Sequence, residues 1–327
     1  DANQSFLSVL MKKGIVHPTL YDVMMELSKT LIQTNDNKQK KGIKQLLVTF
    51  LTKYPLAKNQ WKKYVEFFIK NIDYDNWESR VSVADMLAMI VHKISSQDAD
   101  EAVSFIYVPV LLNLSKEQKE TVREKEVLLL KEFTQKLSKA GRKKTEKMNS
   151  EWVKNDKESI KRIGYLGYYV SIDSMKQKKK TELASNVVKV FNDSSERVKS
   201  TLLMLLNHLD HFDAMFVDIL LNTPQLVGVI AYIQRVIDRI QDKTHVAEVA
   251  VHCVIEENEV IEWAKIIQNV VDSDHKYVET ILNTLGDTQN ESTVKMVAML
   301  LGCVSEDESH LERIVKYLKA SSLSKNK

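Results

Sequence analysis

A chain of 327 residues exceeds the size at which one compact core keeps growing, so it calls for two domains or a stack of repeats. With 8 Gly and 4 Pro beside a hydrophobic fraction of 44%, it lacks the turn material of a many-stranded sheet and reads as all-α. The net charge of +3 conceals a segregation: residues 1–204 hold 36 Lys+Arg against 25 Asp+Glu, residues 205–320 hold 9 against 19, and the last seven add two lysines, so the two halves are expected to meet partners of different sign.

Residues 1–10 have neither the charged n-region nor the cleavage site of a secretory leader. Residues 6–11 read as a helix end stopped by Gly14, and Pro18 opens a helix through Leu20, Val23, Met24, Leu27 and Leu31. Asn35-Asp36-Asn37 caps a third helix, whose Ile43, Leu46, Leu47, Phe50 and Leu51 form one apolar face. After Tyr54-Pro55 comes a stripe of Val65, Phe68, Ile69 and Ile72. After residues 71–76 comes another of Val83, Met86, Leu87, Ile90, Val91 and Ile94. Helices this short and one-sided hold their shape only against neighbours, which is the behaviour of a helical repeat.

Asp98 and Asp100 are expected to start a helix that runs to Leu114, interrupted near Pro109. That apolar run, 105–114, falls far short of the roughly 20 residues that span a bilayer, so no membrane partner is expected. Ser115 begins a helix striped by Val127, Leu130, Thr134 and Leu137. Residues 138–157 then break the pattern and read as a loop or a short exposed helix. The stripe resumes at Ile160, Ile163 and Leu166, where Gly164 and Gly167 are expected to admit a neighbouring backbone. Residues 175–180 read as a basic connection ahead of Leu183, Val187, Val190 and Phe191. Beyond them, turns at 193–195, 210, 222–224, 242–244, 258, 272–274, 286–287 and 305–309 separate helical runs. Two such helices with their turns make a unit of about 35 to 45 residues, the period of HEAT-like repeats, and no tetratricopeptide or ankyrin consensus is present.

No glycine-rich phosphate loop, His-Glu-x-x-His, Gly-x-Ser-x-Gly or Cys-x-x-Cys occurs, so the expectation is no enzyme, no cofactor and no small-molecule substrate. His208, Asp210, His211 and Asp213 lie close enough in sequence to attract a metal, but no third distant ligand joins them; they read as a polar turn capped by Asp210 or Asp213, and no metal is expected. Cys253 and Cys303, set among apolar residues, read as buried thiols.

The chemistry lies in the cations. Residues 131–180 hold 15 Lys+Arg against 6 acids: Lys139, Arg142, Lys143, Lys144 and Lys147, then Lys154, Lys157, Lys161 and Arg162, then Lys176, Lys178, Lys179 and Lys180 are the candidate RNA-binding residues. Borne on one face of a solenoid they would track a phosphate backbone without reading its sequence; otherwise they are solvated surface. Trp152, Tyr165, Tyr168 and Tyr169 could stack on bases but at helical spacing read as core. Glu256, Glu257, Glu259 and Glu262, or Glu306, Asp307 and Glu308, could receive basic tails.

One stretch resembles a known family. Lys53-Tyr54-Pro55-Leu56-Ala57-Lys58, then Phe67 to Arg80 with its Asn71-Ile72-Asp73-Tyr74-Asp75 turn and Ser79-Arg80, then Ala84-Asp85-Met86-Leu87-Ala88 are similar to the C-terminal region of the U3 small nucleolar RNA-associated protein twenty (down-regulated-in-metastasis) family. Ala57 stands for that family's glycine, Asp75 for its glutamate and Ser79 for the glycine before arginine. The resemblance implies a non-catalytic α-solenoid scaffold of the small-subunit processome in the nucleolus or nucleus. Its implied partners are precursor ribosomal RNA or U3 small nucleolar RNA, processome assembly proteins and ribosomal proteins. It also implies a segment of a longer protein. The expected layout over 1–327 is then N-terminal repeats (1–137), a basic, partly irregular insertion or helix (138–182), acidic repeats (183–320) and a disordered tail (321–327). The rival expectation is a protein-only adaptor that holds peptides in a groove.

Overall fold

The computed structural model describes residues 9, 13–14, 16–56, 58–286, 288–303 and 308–324. The helix end expected over 6–11 lies outside them except for Val9, as do Ala57, Glu306 and Asp307. Among the described residues the chain is all-α, without strands, and its helices fall into two units, Asp1–Lys180 and Thr181–Lys327.

The first unit contains α1 (Pro18–Gln33), α2 (Asn37–Lys53), α3 (Lys58–Lys70), α4 (Trp77–Lys93), a short α5 (Ser96–Glu101), α6 (Tyr107–Leu114), α7 (Glu120–Lys136), α8 (Lys139–Val153) and α9 (Glu158–Ser171). Polar side chains start these helices by accepting from backbone N–H groups left without intrahelical partners. Asp36 accepts from Lys38 and Gln39 at 2.8 and 3.2 Å, Asn76 from Glu78 at 2.8 Å, and Ser138 from Ala140 and Gly141 at 3.1 and 3.2 Å. The stripes of α2 and α4 are buried throughout, and α2 packs on α4, α4 on α7 and α7 on α9. α10 (Gln177–Phe191) carries the chain into the second unit.

The second unit continues with α11 (Glu196–Leu206), α12 (Ala214–Leu221), α13 (Val229–Val236), α14 (Thr244–Ile255), α15 (Val260–Ser273), α16 (Tyr277–Leu285), α17 (Glu291–Cys303) and α18 (Glu308–Ser324). Its alternate helices touch: α11, α13, α15 and α17 form one row, and α12, α14, α16 and α18 the other. Two rows of helices joined by short turns are the packing of an α-solenoid, in which each element contacts only its near neighbours in sequence. The core is aromatic where the unit begins, with Phe191 edge-on to Phe216 at 4.9 Å and Phe216 edge-on to Tyr232 at 5.5 Å.

Five expectations change. The break in the 98–114 run falls at residues 102–106, ahead of Pro109, because proline in the first turn of α6 gives up no intrahelical hydrogen bond. Ser95, not Asp98 or Asp100, caps α5, and Asp100 instead accepts from the backbone N–H of Ser138 at 3.0 Å. Ser115 ends α6, and α7 starts only at Glu120. Residues 139–153 form a full helix, and α10 begins at Gln177, so Lys178, Lys179 and Lys180 are helical rather than part of a connection.

α8 is helical because its neighbour lets it approach. A Cβ on Gly164 would lie 2.8 Å from both the Asn149 carbonyl oxygen and the Val153 nitrogen, and one on Gly167 would lie 2.2 Å from Asn149 Oδ1. Asn149 is 1% exposed and accepts from the Tyr107 hydroxyl at 3.0 Å, which ties α8 to α6. Substituting Gly164→Ala should therefore cost about 1–3 kcal/mol in urea unfolding, since the Asn149 oxygen and Val153 nitrogen are backbone atoms that cannot yield cheaply.

A second polar cluster locks the connections. Arg80 at the start of α4 donates through Nε and Nη2 to both carboxylate oxygens of Glu117 at 2.7 and 3.0 Å, and through Nη1 to the carbonyls of Tyr74 and Asp75 at 2.8 and 3.0 Å. Burial pushes the Glu117 carboxyl up, but the bonds from Arg80 and from the Lys119 and Gln118 N–H groups outweigh it and hold the carboxyl below its ordinary range. Glu126, 1% exposed, accepts from Asn113 at 2.6 Å while its other oxygen has no partner among the described residues. Burial pushes this carboxyl up to about 8, with the Asn113 bond offsetting part of the rise. The folded state thus holds a proton here that the unfolded chain releases, so stability falls as pH rises from the ordinary carboxylate range to about 8. Glu126→Gln should abolish that decline and raise stability at pH 8 by roughly 1–3 kcal/mol, measured by urea unfolding across pH 5–9.

Candidate nucleic-acid interface

The first unit holds 33 Lys+Arg against 22 Asp+Glu, so the excess positive charge expected of the early chain sits in one body. α8 carries five of these cations within fifteen residues. Gly141, Thr145 and Asn149 lie one helical repeat apart and are buried, which turns Lys139, Arg142, Lys143, Lys144 and Lys147 outward. Lys139, Lys143 and Lys147 form a single i, i+4 row with successive ammonium stems about 6 Å apart along the axis.

Local stability does not account for that row. Like charges at i, i+4 cost about 0.2–0.5 kcal/mol per pair, and lysine in the first turn opposes the positive end of the helix dipole. α8 has no acid in its first turn, and neither has α10 with Lys178, Lys179 and Lys180. The Ser138 cap and the packing of Asn149 against Gly164 and Gly167 supply the stability that the lysines subtract.

The thirteen candidate residues are not equivalent. Arg162 Nη1 donates to the Ser115 carbonyl at 2.7 Å and ties α9 to the α6–α7 connection. Lys161 pairs with Glu158 at 2.8 Å, and Lys179 pairs with Glu146, joining α10 to α8. Arg142 donates to the Gln135 carbonyl at 3.0 Å. Lys147 has only a long exposed pair with Glu151 at 3.8 Å, which contributes little. Among the described residues Lys139, Lys143, Lys144, Lys154, Lys157, Lys176, Lys178 and Lys180 have no ion-pair partner, and all but half-buried Lys180 are exposed. Tyr165 and Tyr169 are buried, so neither offers a stacking face, whereas Trp152 and Tyr168 are half-buried.

The tertiary structure adds cations that no sequence window joins to this group. The bonds from Arg162 to Ser115 and from Arg80 to Glu117 bring the connection over 115–119 beside the starts of α9 and α4. Exposed Lys116 and Lys119 lie on it, with the Lys119 ammonium 4.8 Å from the ring centroid of Trp77. Trp77 is 41% exposed. Their separation in sequence from residues 139–180 hides them, and no local pattern in the sequence marks the edge.

In the second unit the 208–213 turn is committed to structure. Asp210 pairs with Arg239 at 2.6 Å, Asp213 caps α12 through the Phe216 N–H at 3.2 Å, and His208 Nδ1 lies 3.0 Å from the Met204 carbonyl. Cys253 is buried and its thiol is pushed up to about 11 by burial, while Cys303 is half-buried. Glu256, Glu257, Glu259 and Glu262 are all exposed around the α14–α15 turn, where Glu257 and Glu259 take left-handed φ of 59° and 43°. Among the described residues no helix is long and apolar enough to cross a membrane.

Known proteins place this chain near one family. It is 26% identical over 128 residues to the U3 small nucleolar RNA-associated protein 20 of Schizosaccharomyces pombe, and 25% identical over 174 residues to that of Saccharomyces cerevisiae. The matches cover 39% and 52% of this chain, which spans only 5% and 7% of those proteins' own lengths. The resemblance carried by Lys53 to Ala88 points to the same family. No family model matches. Among solved structures, an engineered protein aligns with a TM-score of 0.32 at 14% identity, over 96% of this chain and 77% of its own. A designed armadillo repeat protein aligns with a TM-score of 0.24 at 12% identity, over 79% of this chain and 99% of its own. The fold rests on the helices themselves.

Arg162→Glu should lower stability by about 1–3 kcal/mol because it leaves the Ser115 carbonyl without its donor. Lys143→Glu should leave stability within about 0.5 kcal/mol. Paired urea unfolding curves check both.

Proposed function

We propose that this chain is a non-catalytic segment of a helical-repeat scaffold in ribosome biogenesis, holding RNA by its phosphates along the exposed face of α8. The observation that carries the reading is the row Lys139, Lys143 and Lys147 with Arg142 and Lys144 beside it, a placement that costs helix stability in a unit with excess positive charge. Lys154, Lys157, Lys176, Lys178, Lys179 and Lys180 extend the track, while Lys161 and Arg162 mainly hold the edge that carries it.

Similarity to U3 small nucleolar RNA-associated proteins of two yeasts supports the assignment to precursor ribosomal RNA or U3 small nucleolar RNA in the nucleolus. The exposed acids around the α14–α15 turn support a role for the second unit in receiving basic segments of assembly or ribosomal proteins. Contact through phosphates alone binds RNA without sequence preference and weakens steeply with salt.

Fluorescence anisotropy with a labelled 20-nucleotide single strand, taken from 50 to 300 mM KCl, tests the phosphate track. Affinity should fall with a slope of roughly 0.7 log units per phosphate contact, and charge reversal of Lys139, Lys143 and Lys144 together should flatten the slope by about two units. An unchanged slope in that variant would remove α8 from the interface. No binding by the wild-type chain, together with a stoichiometric protein partner, would favour the adaptor reading.

A further inference from the structure

A groove of about 770 Å³ lies where the α1–α2 and α3–α4 connections meet, lined by Gln33, Asn35, Asn37, Tyr74, Asp75, Asn76, Trp77 and Glu78. We propose that it receives one unpaired nucleobase of a single-stranded RNA, stacked on Trp77. This site rests on the RNA-binding reading above and adds to it a contact made by base rather than phosphate.

Three observations favour a base. Trp77 is exposed at the first position of α4, and the other fully described tryptophans are less available: Trp61 and Trp263 are 2% and 0% exposed, and Trp152 is half-buried. Its ring already attracts a cation, Lys119, at 4.8 Å. A stacked base takes that place on the ring and leaves the ammonium, on its flexible stem, for the adjoining phosphate. Next, carboxamides crowd the groove. Gln33, Asn35 and Asn37 are exposed and their side chains make no hydrogen bond among the described residues, while Asn76 uses only Oδ1, to cap α4. Free amides at an aromatic face are the groups that bond the polar edge of an unstacked base.

Charge makes the third point, because it separates base from backbone. Asp75 and Glu78 line the groove, and Lys40 offsets Glu78 at 3.7 Å. Carboxylates there repel a phosphate but accept from exocyclic amino groups, which adenine, cytosine and guanine carry and uracil lacks. Cations stand at the rim instead: exposed Lys38 follows Asn37, and exposed Lys116 and Lys119 occupy the neighbouring connection. That connection meets the start of α9 through the bond from Arg162 to Ser115, so the rim leads toward Lys157 and the phosphate track.

The test uses the full chain and labelled 12-nucleotide strands of adenosine or uridine, with a blunt RNA duplex as control. Trp77→Ala should weaken binding of the adenosine strand about ten-fold or more, leave duplex binding within two-fold and leave the salt slope nearly unchanged. Trp77→Phe should retain most of the affinity, Asn35→Ala with Asn37→Ala, which removes exposed unbonded amides, should weaken both single strands, and Asp75→Ala should reduce the preference for adenosine over uridine. Thermal unfolding of each variant separates site loss from misfolding. Adenosine-strand affinity unaltered in Trp77→Ala, while charge reversal on α8 still flattens the salt slope, would overturn this site and leave the phosphate track standing. Absence of binding by any RNA to the wild-type chain would overturn both.

Discussion

A one-sided helix of at most 17 residues cannot persist alone in water, and every described helix of this chain is of that length or shorter. The stripes of α2, α4 and α7 are each wider than one neighbour covers, so each helix buries its apolar face against two or more others nearby in sequence. From that constraint follow the two rows of alternate helices in the second unit and the ladder from α2 through α4 and α7 to α9 in the first. It also sets what is left outside. With the apolar stripe inward, the remaining helix faces and the turns are free to carry charge, and the two units carry it with opposite sign.

Within the first unit the polar contacts do two kinds of work. Arg80 with Glu117 and Arg162 with the Ser115 carbonyl are buried or half-buried clamps that fix the connections at one end of the helices. Lys139, Lys143 and Lys147 make no comparable clamp, and their spacing sets like charges together on one helix face. Sequence composition counts all these cations alike. Burial and partners divide them into those that maintain the framework and those that remain available to an anionic polymer.

The close contact of α8 with α9 shows how far such a surface depends on packing behind it. Fifteen residues with few large apolar side chains and five outward cations would not hold a helix unaided. Gly164 and Gly167 let the Asn149 face of α8 come within backbone contact, and Tyr107 bonds Asn149 from α6. The basic face is therefore displayed by a helix whose stability is supplied from its opposite side.

Much of the fold is legible in the sequence. Periodicity marked the stripes of α2 and α4 because side chains at i, i+3, i+4 and i+7 must share a face, and the Asp36 cap and the two glycines of α9 followed from local backbone chemistry. Residues 138–157 were ambiguous, since α8 is held mainly by contacts distant in sequence and shows a weak apolar pattern of its own. Pro109 marks an interruption of the 98–114 run but not its position, because a proline is compatible with a first turn as well as a break. The amino-acid order alone determined helix class, repeat-like layout and charge segregation, all of which depend on neighbours along the chain. Which lysines lack an ion-pair partner among the described residues, that Glu126 is buried, and that Trp77, Lys119 and the amides of two connections share one edge were decided only by tertiary structure, because burial and pairing depend on contacts, such as that of Trp77 with Lys119, between residues that no local period relates.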